Sequence, residues 1–312
     1  MKNKVIVILG PTATGKSACA IELAQRLNGE IISGDSMLVY KKMNIGTAKP
    51  TAEELALVPH HLVDILPPEA QFSVVDFKSA AEKLILEINA CGKLPIIAGG
   101  TGLYIKALLE NYSFNAVDED KDLRQKLEQE AGEQGAEALY QRLQDLDPEA
   151  AKLIHPNNVR RVVRALESAL KGDHVGQSSN YTRENDLAYD CLVFGLTMER
   201  NFLYERINKR VDIMLEQGLE QEVRQLLLEG VPTTCQSMQS IGYRQMVWYL
   251  EQGMPYAEAV DKLKQATRNF AKRQLTWYKK MPYIQWFELD RELRYAAVID
   301  SMSSKIEEFL QR

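Results

Sequence analysis

Gly10-Pro11-Thr12-Ala13-Thr14-Gly15-Lys16-Ser17 is the stretch that decides the fold of this chain. Its spacing, G-x-x-x-x-G-K-[ST], lets the backbone N–H groups of a glycine loop converge on an anion. The flanks are those such a loop needs. Before it, Val5 to Leu9 (VIVIL) is a short apolar run suited to a buried parallel strand. After it, Ala20, Leu23, Ala24 and Leu27 recur at helical spacing, so the positive end of a helix dipole stands behind the loop. In this pattern Lys16 reaches the outer phosphate and Ser17 holds Mg²⁺. A chance glycine-rich turn would lack the strand and the helix. A phosphate or pyrophosphate group is expected here.

Outward from the loop, apolar strands alternate with helices. EII (Glu30 to Ile32) and LPIIA (Leu94 to Ala98) read as strands, and Val74, Phe77, Ala81, Leu84, Ile85 and Ile88 mark a helix between them. The expected class is α/β, a P-loop NTPase-like parallel sheet core flanked by helices, with ligand loops at the strand C-termini. From about Asn111 to Asn185 the texture becomes charged and helical, closing in the turn-rich KGDHVGQSSNYTREND. An all-helical domain inserted at 112–185 is expected within a core of 1–111 and 186–312. CLVFGLT (Cys191 to Thr197) resumes the strands. A helical run from Arg200 to Glu229, interrupted near Gly218, a helix over Tyr256 to Lys280, a strand over Tyr283 to Leu289 and a last helix follow.

The totals exclude several classes. At 312 residues, 45% hydrophobic and 26% charged, the composition is that of an ordinary globular chain of about two domains. No apolar run approaches the roughly 20 residues of a membrane span. The N-terminus runs straight into the first strand, so no removable signal peptide is expected. Cys19, Cys91, Cys191 and Cys235 form no C-x-x-C pair and read as reduced, mostly buried thiols of a cytoplasmic protein. His60, His61, His155 and His174 have no zinc-ligand spacing. The net charge of −5 hides an asymmetry. Between Asp261 and Met281, seven cationic residues face one acidic residue, and Arg160, Arg161 and Arg164 form a second basic cluster. Local basic surface of this kind suits a polyanion.

Asp35, in SGDSMLVY, closes the EIIS strand and faces the crevice above the phosphate loop. It could hold Mg²⁺ or take a proton from an acceptor, and equally could make an Asx turn or a helix cap. KKMNIGTAKP (Lys41 to Pro50) is a polar loop with no evident structural reason for its composition. AGGTGLY (Ala98 to Tyr104) pairs glycines that permit close backbone approach with a hydroxyl on Thr101. Arg206 and Arg210 leave one helix face, and a pyrophosphate leaving group needs such charge beyond one lysine. No apolar strand ends in a Walker B acidic residue, so the loop can serve a pyrophosphate that is not part of ATP.

Taken together, GPTATGKS, DSMLVYKKMNIGTAKP, PHHLVD, GGTGLY, HPNNVRRVVRALE, IGYRQM and ATRNFAKRQLTWY closely resemble the tRNA dimethylallyltransferase (tRNA isopentenyltransferase) family, in its order and over nearly the whole chain. The resemblance implies attack by N6 of adenosine 37, beside the anticodon, on C1 of dimethylallyl diphosphate, with pyrophosphate leaving. It implies catalytic roles for Asp35, Thr101 and Arg210, and diphosphate binding by Gly10 to Ser17 with Arg206 and Mg²⁺. It also implies tRNA contacts at Asp35, Ser36, Met37, Leu38, Thr101, Arg124, Arg160, Arg161, Arg164, Gly242, Tyr243, Arg244, Lys272 and Arg273. The inserted domain would clamp the anticodon stem-loop, and a flipped base is expected because a stacked one cannot enter a closed site. A monomer with no membrane partner is expected. Leu38 and Asn44 stand where many members carry Gln and Asp, and Asn269 replaces part of a more usual TRQ start. The rivals are a P-loop small-molecule kinase, prenyl transfer to free AMP or ADP, and a nucleotide-dependent RNA-binding module. The kinase leaves the basic helix unexplained, the free-nucleotide enzyme leaves both basic clusters unexplained, and the binding module leaves Asp35, Lys16 and Arg210 without purpose.

Overall fold

The computed structural model describes residues 2–112, 120–172, 187–292 and 295–312. Its strands are β1 (Lys4–Leu9), β2 (Gly29–Ser33), β3 (His60–His61), β4 (Leu94–Gly99), β5 (Asp190–Met198) and β6 (Ile284–Leu289). In the first half the helices are α1 (Lys16–Arg26), α2 (Ala52–Leu57), α3 (Val74–Ala90), α4 (Gly102–Leu109), α5 (Lys121–Gln134), α6 (Ala136–Leu146), α7 (Pro148–Lys152) and α8 (Val159–Leu170). The rest are α9 (Arg200–Glu216), α10 (Leu219–Leu228), α11 (Tyr243–Gln252), α12 (Tyr256–Tyr278) and α13 (Tyr295–Leu310).

All six strands pair in parallel, in the order β3-β2-β4-β1-β5-β6. The VIVIL run lies at the middle of that sheet and is fully buried, which is why it is apolar on both faces. One face carries Val5, Val7, Leu9, Ile32 and Ile97 against α3, α4 and α11; the other carries Ile6, Ile8, Ile96, Phe194 and Leu196 against α1, α9 and α13. The P-loop NTPase-like core anticipated from the loop is therefore the fold observed. Every crossover brings the chain back to the same sheet edge, so the turns after β1, β2 and β4 gather at the strand C-termini.

Two compact units divide the chain: Met1–Tyr112 with Asp186–Arg312, and Ser113–Asn185. The second holds α5 to α8 around its own core of Leu127, Leu139, Leu143, Val162, Val163 and Leu166. The turn-rich exit from Asp173 to Asp186 lies outside the described residues, as does His174.

Gly218, in a left-handed conformation, separates α9 from α10, at the interruption expected. The sequence reading missed α11, α2 and the two-residue β3. All four cysteines are free thiols, as expected, but less buried than expected: Cys19 is buried, Cys191 and Cys235 are half-buried and Cys91 is exposed. Among the described residues no group of histidines, cysteines and acids is arranged to hold a metal, and no helix is long and apolar enough to cross a membrane.

Candidate diphosphate and acceptor site

The phosphate loop runs from the end of β1 into α1 with Ala13 and Gly15 both at positive φ (68° and 90°). Gly15 is required: a Cβ there would sit 2.5 Å from the Tyr295 hydroxyl, which donates to Thr14 O at 2.9 Å. Ala13 holds a left-handed conformation that costs a non-glycine residue about 1 kcal/mol. Its carbonyl accepts from Arg206 Nε at 2.9 Å, which fixes the kink. Thr14 Oγ1 and Lys16 Nζ both donate to Pro11 O, at 2.8 and 2.9 Å. The N–H groups of residues 13–17 have no acceptor among the described residues, which is the property of an anion nest.

Lys16, Asp35 and Arg210 converge here. Burial and the neighbouring Arg210 hold the Lys16 ammonium down to about 7, against the opposing pull of Asp35. Burial lowers Arg210 as well, with Asp35 opposing and Arg206 reinforcing the fall. Two half-buried cations facing one carboxylate make a site short of negative charge. Ser17 is exposed at the first turn of α1 and makes no side-chain hydrogen bond among the described residues. Its hydroxyl would suit an Mg²⁺, an ion that usually takes most of its ligands from phosphate oxygens and water.

Asp35 follows β2. Its Oδ1 accepts from Met37 N at 2.8 Å, an Asx turn, so the structural role left open from sequence is real. Oδ2 makes no hydrogen bond among the described residues, so the turn does not use up the carboxylate. Thr101 secures the same segment. Its Oγ1 accepts from Ser36 N at 3.1 Å and donates to Ser36 Oγ at 3.3 Å, while its N–H donates to Gly34 O at 3.2 Å. The turns after β2 and β4 touch so closely that a Cβ on Gly99 would lie 2.2 Å from the Gly34 carbonyl carbon. Met37 and Leu38 are half-buried on the chain leaving Asp35.

The other expected contacts separate into surface and support. Lys272 and Arg273 are exposed on α12; Lys264 is paired with Asp212 and Arg268 donates to Asn208. Arg160, Arg161 and Arg164 are exposed on α8 of the helical unit. Arg124 in that unit is instead engaged by Glu167, Nε to Oε2 at 2.6 Å. Tyr243 is fully buried, and its hydroxyl donates to Glu222 Oε1 at 2.5 Å, so its side chain supports the interior. Gly242, at φ 99°, is the buried cap of α11. Arg244 lies over Trp248 with its Nε buried and unpartnered.

KKMNIGTAKP has a structural reason after all. Glu222 accepts from the N–H groups of Asn44, Ile45 and Gly46 in succession, at 2.8 to 3.2 Å. Lys49 donates to Tyr40 O and Asn44 Oδ1 and pairs with Asp64. Sequence reasoning missed Glu222, Gln274, Tyr278 and Tyr295. Only the buried glutamine within AKRQLTWY left a trace, since a helix has no use for an interior carboxamide without two partners.

A phosphate loop on a parallel sheet, with a carboxylate at the end of β2, one strand removed from β1, defines a P-loop NTPase-like protein. Residues 38–281 match the family model described as IPP transferase. A tRNA dimethylallyltransferase of Carboxydothermus hydrogenoformans is 49% identical over 296 residues, 94% of each chain. The full-length tRNA isopentenylpyrophosphate transferase of Bacillus halodurans superposes at a TM-score of 0.73 and 45% identity, over 99% of both chains. A eukaryotic dimethylallyltransferase described as acting on tRNA superposes at 0.78 and 32% identity, over 92% of this chain and 74% of that one. This chain belongs to the IPP transferase family, and the resemblance carried by its motifs is borne out.

Proposed function

We propose that this protein transfers a dimethylallyl group from dimethylallyl diphosphate to N6 of adenosine 37 in tRNA, releasing pyrophosphate. The observation that carries the reading is the convergence of Lys16, Arg210 and the free N–H groups of residues 13–17 opposite Asp35. In the transfer, the C1–O bond of the donor breaks, the bond from N6 to C1 forms, and N6 loses a proton. Charge grows on the departing pyrophosphate, where the loop, Lys16, Arg210 and Arg206 stabilise it. Asp35 accepts the hydrogen bond and then the proton of the amine, aiming its lone pair at C1. Ser17 would hold Mg²⁺ against the diphosphate, where the ion supplies further positive charge.

The acceptor is RNA rather than a free nucleotide because the chain carries exposed cations on two helices that a small acceptor does not need. Lys272 and Arg273 on α12, and Arg160, Arg161 and Arg164 on α8, suit the phosphates of a stem-loop. A monomer acting in the cytoplasm fits this substrate. The test is incubation with Mg²⁺ and radiolabelled dimethylallyl diphosphate, with unmodified tRNA in one tube and AMP in another. Label in the tRNA is expected. Label only in AMP would make this a free-nucleotide prenyltransferase, and phosphate transfer from ATP with no prenyl transfer would make it a kinase.

A further inference from the structure

Transfer requires the phosphate loop after β1 and the Thr101 turn after β4 to stand at a fixed separation. We propose that Gln274 is a positioning residue for the reaction, its side-chain amide tying these two loops together and so setting the reach from the donor carbon to Asp35. This rests on the function proposed above.

Gln274 is 4% exposed, on the inner face of α12. Its Oε1 accepts from Thr12 N at 2.9 Å and its Nε2 donates to Gly100 O at 2.8 Å. One helical turn on, the buried Tyr278 hydroxyl lies 2.9 Å from Gly100 O and 3.3 Å from Gly10 O. The fit at Gly100 is close: a Cβ there would fall 2.4 Å from Gln274 Nε2. Burying a carboxamide in a helix is costly unless both ends are satisfied, and here they are satisfied by two different loops.

The tie is then passed on. Gly100 precedes Thr101, whose backbone and hydroxyl hold Gly34 and Ser36 on either side of Asp35. A shift at Gly100 therefore moves the acceptor side relative to the donor side. Because the Thr12 N–H is occupied by Gln274, that group is withdrawn from the anion nest, so Gln274 governs spacing and does not itself grip the phosphates. No other common side chain does the same. Glutamate could accept from Thr12 but would set a carboxylate against the Gly100 carbonyl, and methionine fills the volume but makes neither bond. Displacing a reacting group by about 1 Å costs on the order of 100-fold in rate, which sets the size of effect to look for.

Gln274→Met, Gln274→Glu and Tyr278→Phe in the full chain test this. Equilibrium affinities for dimethylallyl diphosphate and for tRNA are measured separately, then the single-turnover transfer rate with both saturating. Gln274→Met and Gln274→Glu are expected to slow transfer at least about 30-fold with both affinities within about threefold of wild type. Tyr278→Phe should slow it less, and its effect should not add fully to that of Gln274→Met, because both act on Gly100. A rate unchanged in these variants, or a defect that disappears once lost diphosphate affinity is allowed for, overturns the proposal. Should Gln274→Met not fold, Tyr278→Phe carries the same test, since it removes one oxygen. Wild-type protein that labels no acceptor would sink the function and this inference together; wild-type transfer with undiminished variants would sink the inference alone.

Discussion

At Asp35 the two oxygens are placed differently. Oδ1 holds the Asx turn on Met37 N, and Oδ2 makes no hydrogen bond among the described residues, which leaves it for the acceptor amine in the proposed reaction. Asp35→Asn keeps the turn acceptor and removes the base. Turnover is expected to fall about 100-fold or more, the usual worth of a positioned base, with tRNA affinity nearly unchanged. A wild-type rate measured under single-turnover conditions would take Asp35 out of the chemistry. Lys16 makes a prediction of opposite character. In the ligand-free fold it titrates at about 7, against an ordinary value of 10.5, so the unfolded chain binds the extra proton between those values. Stability from this group therefore rises with pH across that window. Lys16→Met should raise the melting temperature at pH 7 by a few degrees while abolishing diphosphate binding; a lower melting temperature would contradict the cause assigned to the shift. Donor binding restores the charge, so at pH 8 it should take up a proton, visible in calorimetry as a dependence on buffer ionisation heat.

Among the elements, those with a strong local signal were legible in the sequence and those held by distant partners were not. β1, β4 and β5 are apolar on both faces because helices cover both, and a run such as VIVIL can hardly mean anything else. The Gly218 break shows for the same local reason. The 44–46 loop was opaque because its partner, Glu222, lies about 180 residues away in sequence. Asp35 and Thr101 stand out by their places at strand ends, whereas Tyr243, which the resemblance attaches to the RNA contacts, is buried beside that loop with its hydroxyl on Glu222. Glu222→Ala leaves three backbone donors without their acceptor and is expected to cost about 2–4 kcal/mol, read as a lower denaturant midpoint at constant slope. Tyr243→Phe loses one of Glu222's donors and should cost about 1 kcal/mol. An unchanged midpoint in Glu222→Ala would mean the loop is held from elsewhere.

For the whole molecule, a modestly acidic total conceals where the cations are. Of the seven on 262–280, Lys262, Lys264 and Arg268 are taken up by partners within the protein, while Lys272, Arg273, Lys279 and Lys280 are exposed. Replacing Lys272 and Arg273 with alanine should weaken tRNA binding and lower its salt slope by about 1.5–2, with dimethylallyl diphosphate affinity unaffected. An unaltered slope would mean that this face meets no phosphate. The proposed reaction alters one atom of one nucleotide, and nucleoside analysis reads that atom. tRNA treated with the protein, Mg²⁺ and dimethylallyl diphosphate is digested, and its nucleosides are separated and weighed. The expected result is a single new nucleoside, adenosine carrying a dimethylallyl group on N6, arising from position 37 and absent when that position is guanosine. A prenyl group at another position, or an unmodified tRNA beside phosphorylated product when ATP is supplied, would contradict it.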